Sequence, residues 1–298
     1  IDINFNIYCV TFMQQGRFIY RKGTLMALPK YLYKYRSFCP NHINAAVNNQ
    51  IWFAIGETFN DPFDCTIEFP AVIATRESLT RFVKARSMHI VQGLMVLKNL
   101  SQEQAIGSMV DDQLSRPDEI RGWPSVRDYT QALFNRLIRT YTFSLSQGVS
   151  NQLLWAHYAE KHTGFCIRYD VEKLCAYIPD HFTREIKYDN KPINLIDECL
   201  KHDQKQNILD IIYTKSKDWE YENEYRIMLD NDIAANREDC TRMLEHGRDA
   251  VDCIFFGLKA KDEDKANLID QFKGRDVLFK DMYRSGKSYE LFSCDTTI

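Results

Sequence analysis

Apolar and polar residues alternate in a series of short segments along the chain, and a period of two predicts strands. In YLYKYR (residues 31–36), Tyr33 and Tyr35 fall on one face and Lys34 and Arg36 on the other. IWFAI (51–55), YTFSLS (141–146), GFCIRYD (164–170), REIKYD (184–189), EYRIML (224–229), CIFFG (253–257), VLFKDM (277–282) and YELFS (289–293) also read as strands. Between them the apolar spacing lengthens to that of helices. RESLTRFVKARSMHIVQGL (76–94), SQEQAIGSMVDDQL (101–114) and PSVRDYTQALFNRLIRT (124–140) form one helical block. Ser101 and Gln104 have the spacing of a capping box. SNQLLWAHYAEKH (150–162), a stretch from about 193 to 216, and KDEDKANLIDQFKG (261–274) predict further helices, with a short one at 41–49. Gly164 stands where it would stop the WAHYA helix.

Strands interrupted irregularly by helices predict an α+β fold with a mixed, mostly antiparallel sheet. The regular βαβ alternation of a doubly wound fold is missing, and so are its glycines. With no internal repeat and no low-complexity linker, residues 26–298 read as one domain carrying a helical insertion at about 76–139. Residues 1–25 read as an N-terminal extension.

Composition narrows the class. Of 298 residues, 45% are hydrophobic, enough to fill a core, and the net charge of -3 excludes avid nonspecific binding of nucleic acid. Nine cysteines are scattered singly with no CxxC pair, the pattern of reduced thiols, so a cytoplasmic location is expected. No run approaches the roughly 20 apolar residues of a membrane span. The opening segment lacks the basic start and small-residue cleavage site of a signal peptide.

Three strands carry the candidate chemistry. As a strand, YENEYRI (221–227) puts Glu222, Glu224 and Arg226 on one face, either a solvated surface or a site. YTFSLS gathers Thr142, Ser144 and Ser146 on one face, and YKYR does the same with Lys34 and Arg36. An arginine fork suits a pyrophosphate, hydroxyls suit a ribose, and a carboxylate stabilises the cationic centre left when a glycosidic bond breaks. FNDPFD (59–64) has the residues of a tight turn. His157 and His162, five apart, do not share a helix face as zinc ligands at i, i+4 would, and no metal is expected from them. A magnesium-dependent nuclease built on Asp61, Asp64, Glu222 and Glu224 is a further alternative.

Two resemblances follow from these residues. YKYR, FNDPFD, LWAHYAEKHTGFCI and YENEYRI together resemble a large bacterial domain family defined by those blocks, over about 31–292. More remotely, an arginine ending an aromatic strand, a Ser-x-Ser strand and a Glu-x-Glu, in that order, resemble the Arg-Ser-Glu mono-ADP-ribosyltransferases. That second resemblance implies a split antiparallel sheet with NAD, as substrate, in its cleft. Arg36 would hold the phosphates, Ser144 and Ser146 would contact ribose or position the acid, Glu224 would stabilise the cation and Glu222 would ready the acceptor. Tyr35 or Trp155 would stack on nicotinamide, with His157 hydrogen-bonding near the cleft. It also implies a macromolecular acceptor, RNA, DNA or protein, and a toxin or phage-defence role in which an inhibitory partner protein holds the enzyme silent. NAD hydrolysis and a non-catalytic partner-binding module are the alternatives.

Overall fold

In a computed structural model, the described residues are 12–14, 17–19, 28–65, 75–116, 135, 140–178, 181–191, 193, 209–229 and 242–297. The third helix expected in the insertion and most of the one from 193 lie outside them. The strands are β1 Phe12–Gln14, β2 Arg17–Ile19, β3 Tyr31–Arg36, β4 Gln50–Trp52, β5 Ala54–Ile55, β6 Tyr141–Ser146, β7 Phe165–Asp170 and β8 His181–Glu185. They continue as β9 Lys187–Asp189, β10 Thr214–Ser216, β11 Glu224–Leu229, β12 Met243–Glu245, β13 Val251–Phe256, β14 Leu278–Arg284 and β15 Leu291–Asp295.

The main sheet runs β15-β14-β13-β7-β3-β6-β11-β8. Within it only β13 and β14 are parallel neighbours, so the sheet is mixed and mostly antiparallel, as the pattern predicted. The described helices include α1 Pro40–Val47, α2 Arg76–Arg86, α3 Met88–Lys98, α4 Gln102–Leu114, α5 Gln152–Tyr158, α6 Val171–Cys175 and α7 Asp262–Gln271.

By its contacts the chain divides into two compact units. One holds 1–54, 140–186 and 218–298, and the other holds 55–139 and 187–217. In the second unit α2, α3 and α4 close on Leu79, Phe82, Val83, Val91, Ile106 and Val110. The expected capping box is made: Ser101 Oγ accepts from the Gln104 N–H and Gln104 Oε1 from the Ser101 N–H. The FNDPFD segment is the turn its residues suggest, with Asp61 Oδ1 accepting from the Phe63 N–H at 2.9 Å. Asp64 forms a buried ion pair with Lys215 at 3.6 Å.

The first unit contains the whole main sheet from β3 onward except β5, which lies where the units divide. One face is a large apolar core with Leu32, Phe143, Leu145, Phe165, Ile167, Tyr225, Ile227, Ile254 and Phe256. The other carries a second cluster around Tyr35, Leu154, Trp155, Cys166, Cys253 and Phe255, under α5. Alternation along each strand divides its residues between these faces. No helix among the described residues is long and apolar enough to cross a membrane.

Candidate functional site

The sequence between α5 and β11 builds a polar centre on the α5 face. Asn223 takes a left-handed φ of 43°, which breaks the strand expected for YENEYRI. Glu222 therefore ends a 3-10 turn, Lys217–Glu222, and β11 starts at Glu224. The expected shared strand face thus holds for Glu224 and Arg226 and not for Glu222. All six residues of β11 are buried, so the solvated-face alternative does not describe it.

Glu224 and Arg226, two apart on one strand, meet as a bidentate pair. Arg226 Nε donates to Glu224 Oε1 at 2.7 Å and Nη2 to Oε2 at 3.1 Å. Both are enclosed, Arg226 to 1% exposure and Glu224 to 4%. Glu222 is buried beside them and accepts a hydrogen bond from Tyr158 Oη at 2.7 Å, while its carbonyl accepts from Ser146 Oγ at 2.8 Å. Antiparallel register sets Glu224 opposite Ser146 and Arg226 opposite Ser144. Of the expected site residues, Glu222, Glu224, Ser144 and Ser146 are thus brought together.

Arg36 is not. Tyr33 is opposite Ser146, so Tyr33 and Tyr35 share the glutamate face while Lys34 and Arg36 point to the opposite one with Leu32. The expected convergence of Arg36 with Ser144 and Glu224 fails on strand parity, a property that three separately read motifs leave open. Tyr35 and Trp155 also differ from expectation. They pack edge to face at 5.1 Å inside the second core, with Tyr35 Oη donating to the Gly148 carbonyl and Trp155 Nε1 to that of Val149. Neither offers a free ring face.

The exposed rings lie elsewhere. Exposed His157 has Tyr158 at 6.3 Å and Tyr221 at 6.4 Å, and Trp219 is 6.0 Å from Tyr221. This partly exposed row flanks Glu222. Trp219 and Tyr221 were not anticipated as site residues, because their placement depends on the turn that precedes β11 and not on strand alternation. Asn151 at the head of α5 donates to the Tyr221 carbonyl and so ties helix to turn.

Lys34 reaches the same centre from the other side. β3 and β6 pair only at Tyr33 and Ser146, and where they part Lys34 Nζ donates to the Ser144 carbonyl at 2.5 Å and lies 5.0 Å from the Phe143 ring centre. Burial, then the Arg36 charge, push its pKa down to about 7, against an opposing pull from Glu224 and Glu222. The site thus holds two carboxylates and an amine that changes protonation near neutrality, a set suited to acid–base chemistry. Among the described residues no group of three or more His, Cys, Asp or Glu side chains is arranged to hold a metal.

Residues 154–227 match the model of a family described as a protein of unknown function (DUF2971). The matched stretch runs from α5 into β11 and so includes Tyr158, Glu222, Glu224 and Arg226. No curated protein and no solved structure matches the chain.

Proposed function

We propose that the protein transfers ADP-ribose from NAD to a macromolecule. The observation that carries the reading is buried Glu222, held by Tyr158 near the Glu224–Arg226 pair and flanked by a partly exposed row of rings, His157, Tyr158, Tyr221 and Trp219. Rings of this kind suit nicotinamide stacking and the acids suit a developing cation. In the reaction the bond between ribose C1′ and the nicotinamide nitrogen breaks, its electron pair neutralising the pyridinium. Negative charge at Glu224, fixed by Arg226, stabilises the cation at C1′. An acceptor oxygen or nitrogen then bonds C1′ and gives its proton to Glu222. The parity of β3 removes Arg36 from phosphate binding on this face, so that part of the resemblance is not carried forward.

The test is release of nicotinamide by the purified chain, with labelled ADP-ribose followed into macromolecule or solution. Glu222→Gln and Glu224→Gln are expected to lower turnover by about a hundredfold or more while saturable NAD binding persists. Attached label supports transfer, and free label supports hydrolysis by the same residues. Wild-type turnover in both variants would overturn the site assignment, and absence of saturable NAD binding would overturn the reading itself.

Near-complete enclosure of the Glu224–Arg226 pair favours a second reading, a non-catalytic module in which the pair is a structural clamp. On that reading Glu224→Leu costs about 3–5 kcal/mol, because it leaves a buried guanidinium uncompensated. The double replacement Glu224→Leu with Arg226→Met recovers most of that loss. A denaturant titration of the four proteins measures it, and NAD binding separates the two readings.

A further inference from the structure

A cavity of about 820 Å³ lies within the first unit, between the head of α5 at residues 150–153 and the start of β15 at residues 289–293. Side chains of a strand alternate between its faces, so a cavity over one face is lined by every second residue. Here Leu291, Phe292 and Ser293 line it in succession, after Tyr289 and Glu290 of the preceding turn. The cavity is therefore a groove along the flank of β15, where the backbone itself is open. One wall is a strand edge and the other is the head of a helix. Gln152 Nε2 donates to the Tyr289 carbonyl and ties the two walls together.

β15 ends the main sheet and, among the described strands, pairs with β14 alone. Its outward N–H and C=O groups are thus open to a further strand, a hazard that proteins ordinarily blunt with charge, proline or a bulge. The opposite edge, β8, carries Arg184 and Glu185. β15 has no such guard from Leu291 to Cys294, and its register with β14 is unbroken over five pairs. Leu153, Tyr289 and Phe292 are exposed around the groove, Tyr289 to 96%. Among the described lining residues Glu290 alone is charged.

We propose that this groove binds an extended peptide segment of a partner protein, which adds a strand to β15 and lies between it and the head of α5. Main-chain hydrogen bonds to β15 supply affinity, and the peptide's alternating side chains supply specificity. One set of those side chains lies against Leu153 and Leu291, the other beside Phe292, so apolar residues fit both. Glu290 selects a lysine or arginine near the turn. A nucleic-acid strand is a poor match, because no cation among the described lining residues takes its phosphates. A second copy of the chain offers its β15 only with its own α5 head beside it, and two helix heads would then have to share one flank. The inference does not rest on the ADP-ribosyl reading, since the groove is lined by neither Glu222 nor Glu224.

The experiment selects a phage-displayed library of random octapeptides on the full chain and measures synthetic copies of the recovered peptides by fluorescence anisotropy. The recovered sequences should be rich in apolar residues, include lysine or arginine, and lack proline. Leu153→Asp should weaken binding about tenfold or more, and Glu290→Lys should reverse the preference from basic to acidic peptides. Lys84→Gln, an exposed change on α2 in the other unit, should leave binding unaltered. The decisive measurement alters the peptide and not the protein. Backbone N–H groups of an extended strand point alternately to its two flanks, so N-methylation of one alternate set should weaken binding about tenfold or more, while the other set should change it about threefold at most. Equal effects of the two sets, or no peptide binding more tightly than about 1 mM, would overturn the proposal. So would a dimer in sedimentation velocity that Leu153→Asp dissociates, since a second copy would then hold the groove. Failure of NAD turnover leaves the proposal standing, because peptide binding is read without any reaction.

Discussion

Lys34 feels opposing forces on its proton. Burial and the Arg36 charge favour the neutral amine, the nearby glutamates favour ammonium, and the balance leaves the pKa at about 7. An unfolded lysine titrates near 10.4, so between about pH 7 and 10 the unfolded chain binds more protons at this residue than the folded one. The sign is therefore fixed. The amine lowers stability most below pH 7, and the penalty is released as pH rises toward 10. A neutral amine also acylates, whereas ammonium does not. Competitive acetylation of the native chain, followed by peptide mass spectrometry, should show Lys34 half-reactive at about pH 7. A Lys34 profile with its midpoint near that of a free lysine amine, about 10.4, would remove the acid–base role suggested for it.

Elements respond to constraints that residue patterns carry only in part. The WAHYA helix was legible as a segment, though its Asn151 cap was not read, and it ends at Tyr158, before the glycine expected to stop it. Glu160, Lys161 and His162 all turn left-handed, with φ of 49°, 57° and 73°. Gly164 acts differently: a Cβ there would stand 2.1 Å from the Arg36 carbonyl, so its bare backbone lets β7 begin against the end of β3. Gly164→Ala must push two strands apart and should cost about 2 kcal/mol or more, measured as a lower denaturant midpoint at unchanged slope. Strand periodicity likewise identified β3, β6 and β11 but not their mutual parity. Alternation tells which residues share a face within one strand, whereas the face that two strands have in common depends on register. That is why Ser144, Ser146 and Glu224 met as read and Arg36 did not.

Across the whole molecule, the first unit is assembled from three separated stretches, an arrangement set by long-range contacts that no local pattern reports. Its cysteines offer a way to follow that assembly. Every described cysteine is a free thiol, consistent with the scattered spacing in the sequence. Cys166 on β7 and Cys253 on β13 are fully buried in one cluster with α5, diagonal to each other on adjacent strands, Cys166 opposite Phe255 and Cys253 opposite Arg168. Burial, then their mutual repulsion, raises Cys166 well above the usual thiol range. Burial raises Cys253 to about 11, opposed by the nearby Arg168 charge. At pH 7.5 both are therefore protonated as well as inaccessible, which disfavours Cys166 as a nucleophile. Cys294 on the edge strand β15 is exposed. Alkylation of the native chain should modify Cys294 within minutes. Cys166 and Cys253 should react only through openings that separate the central strands, at rates that rise together with added denaturant. If Cys166 were labelled as fast as Cys294, the packing of α5 over the sheet would be wrong, and with it the enclosure that holds Glu222, Glu224 and Arg226 in place.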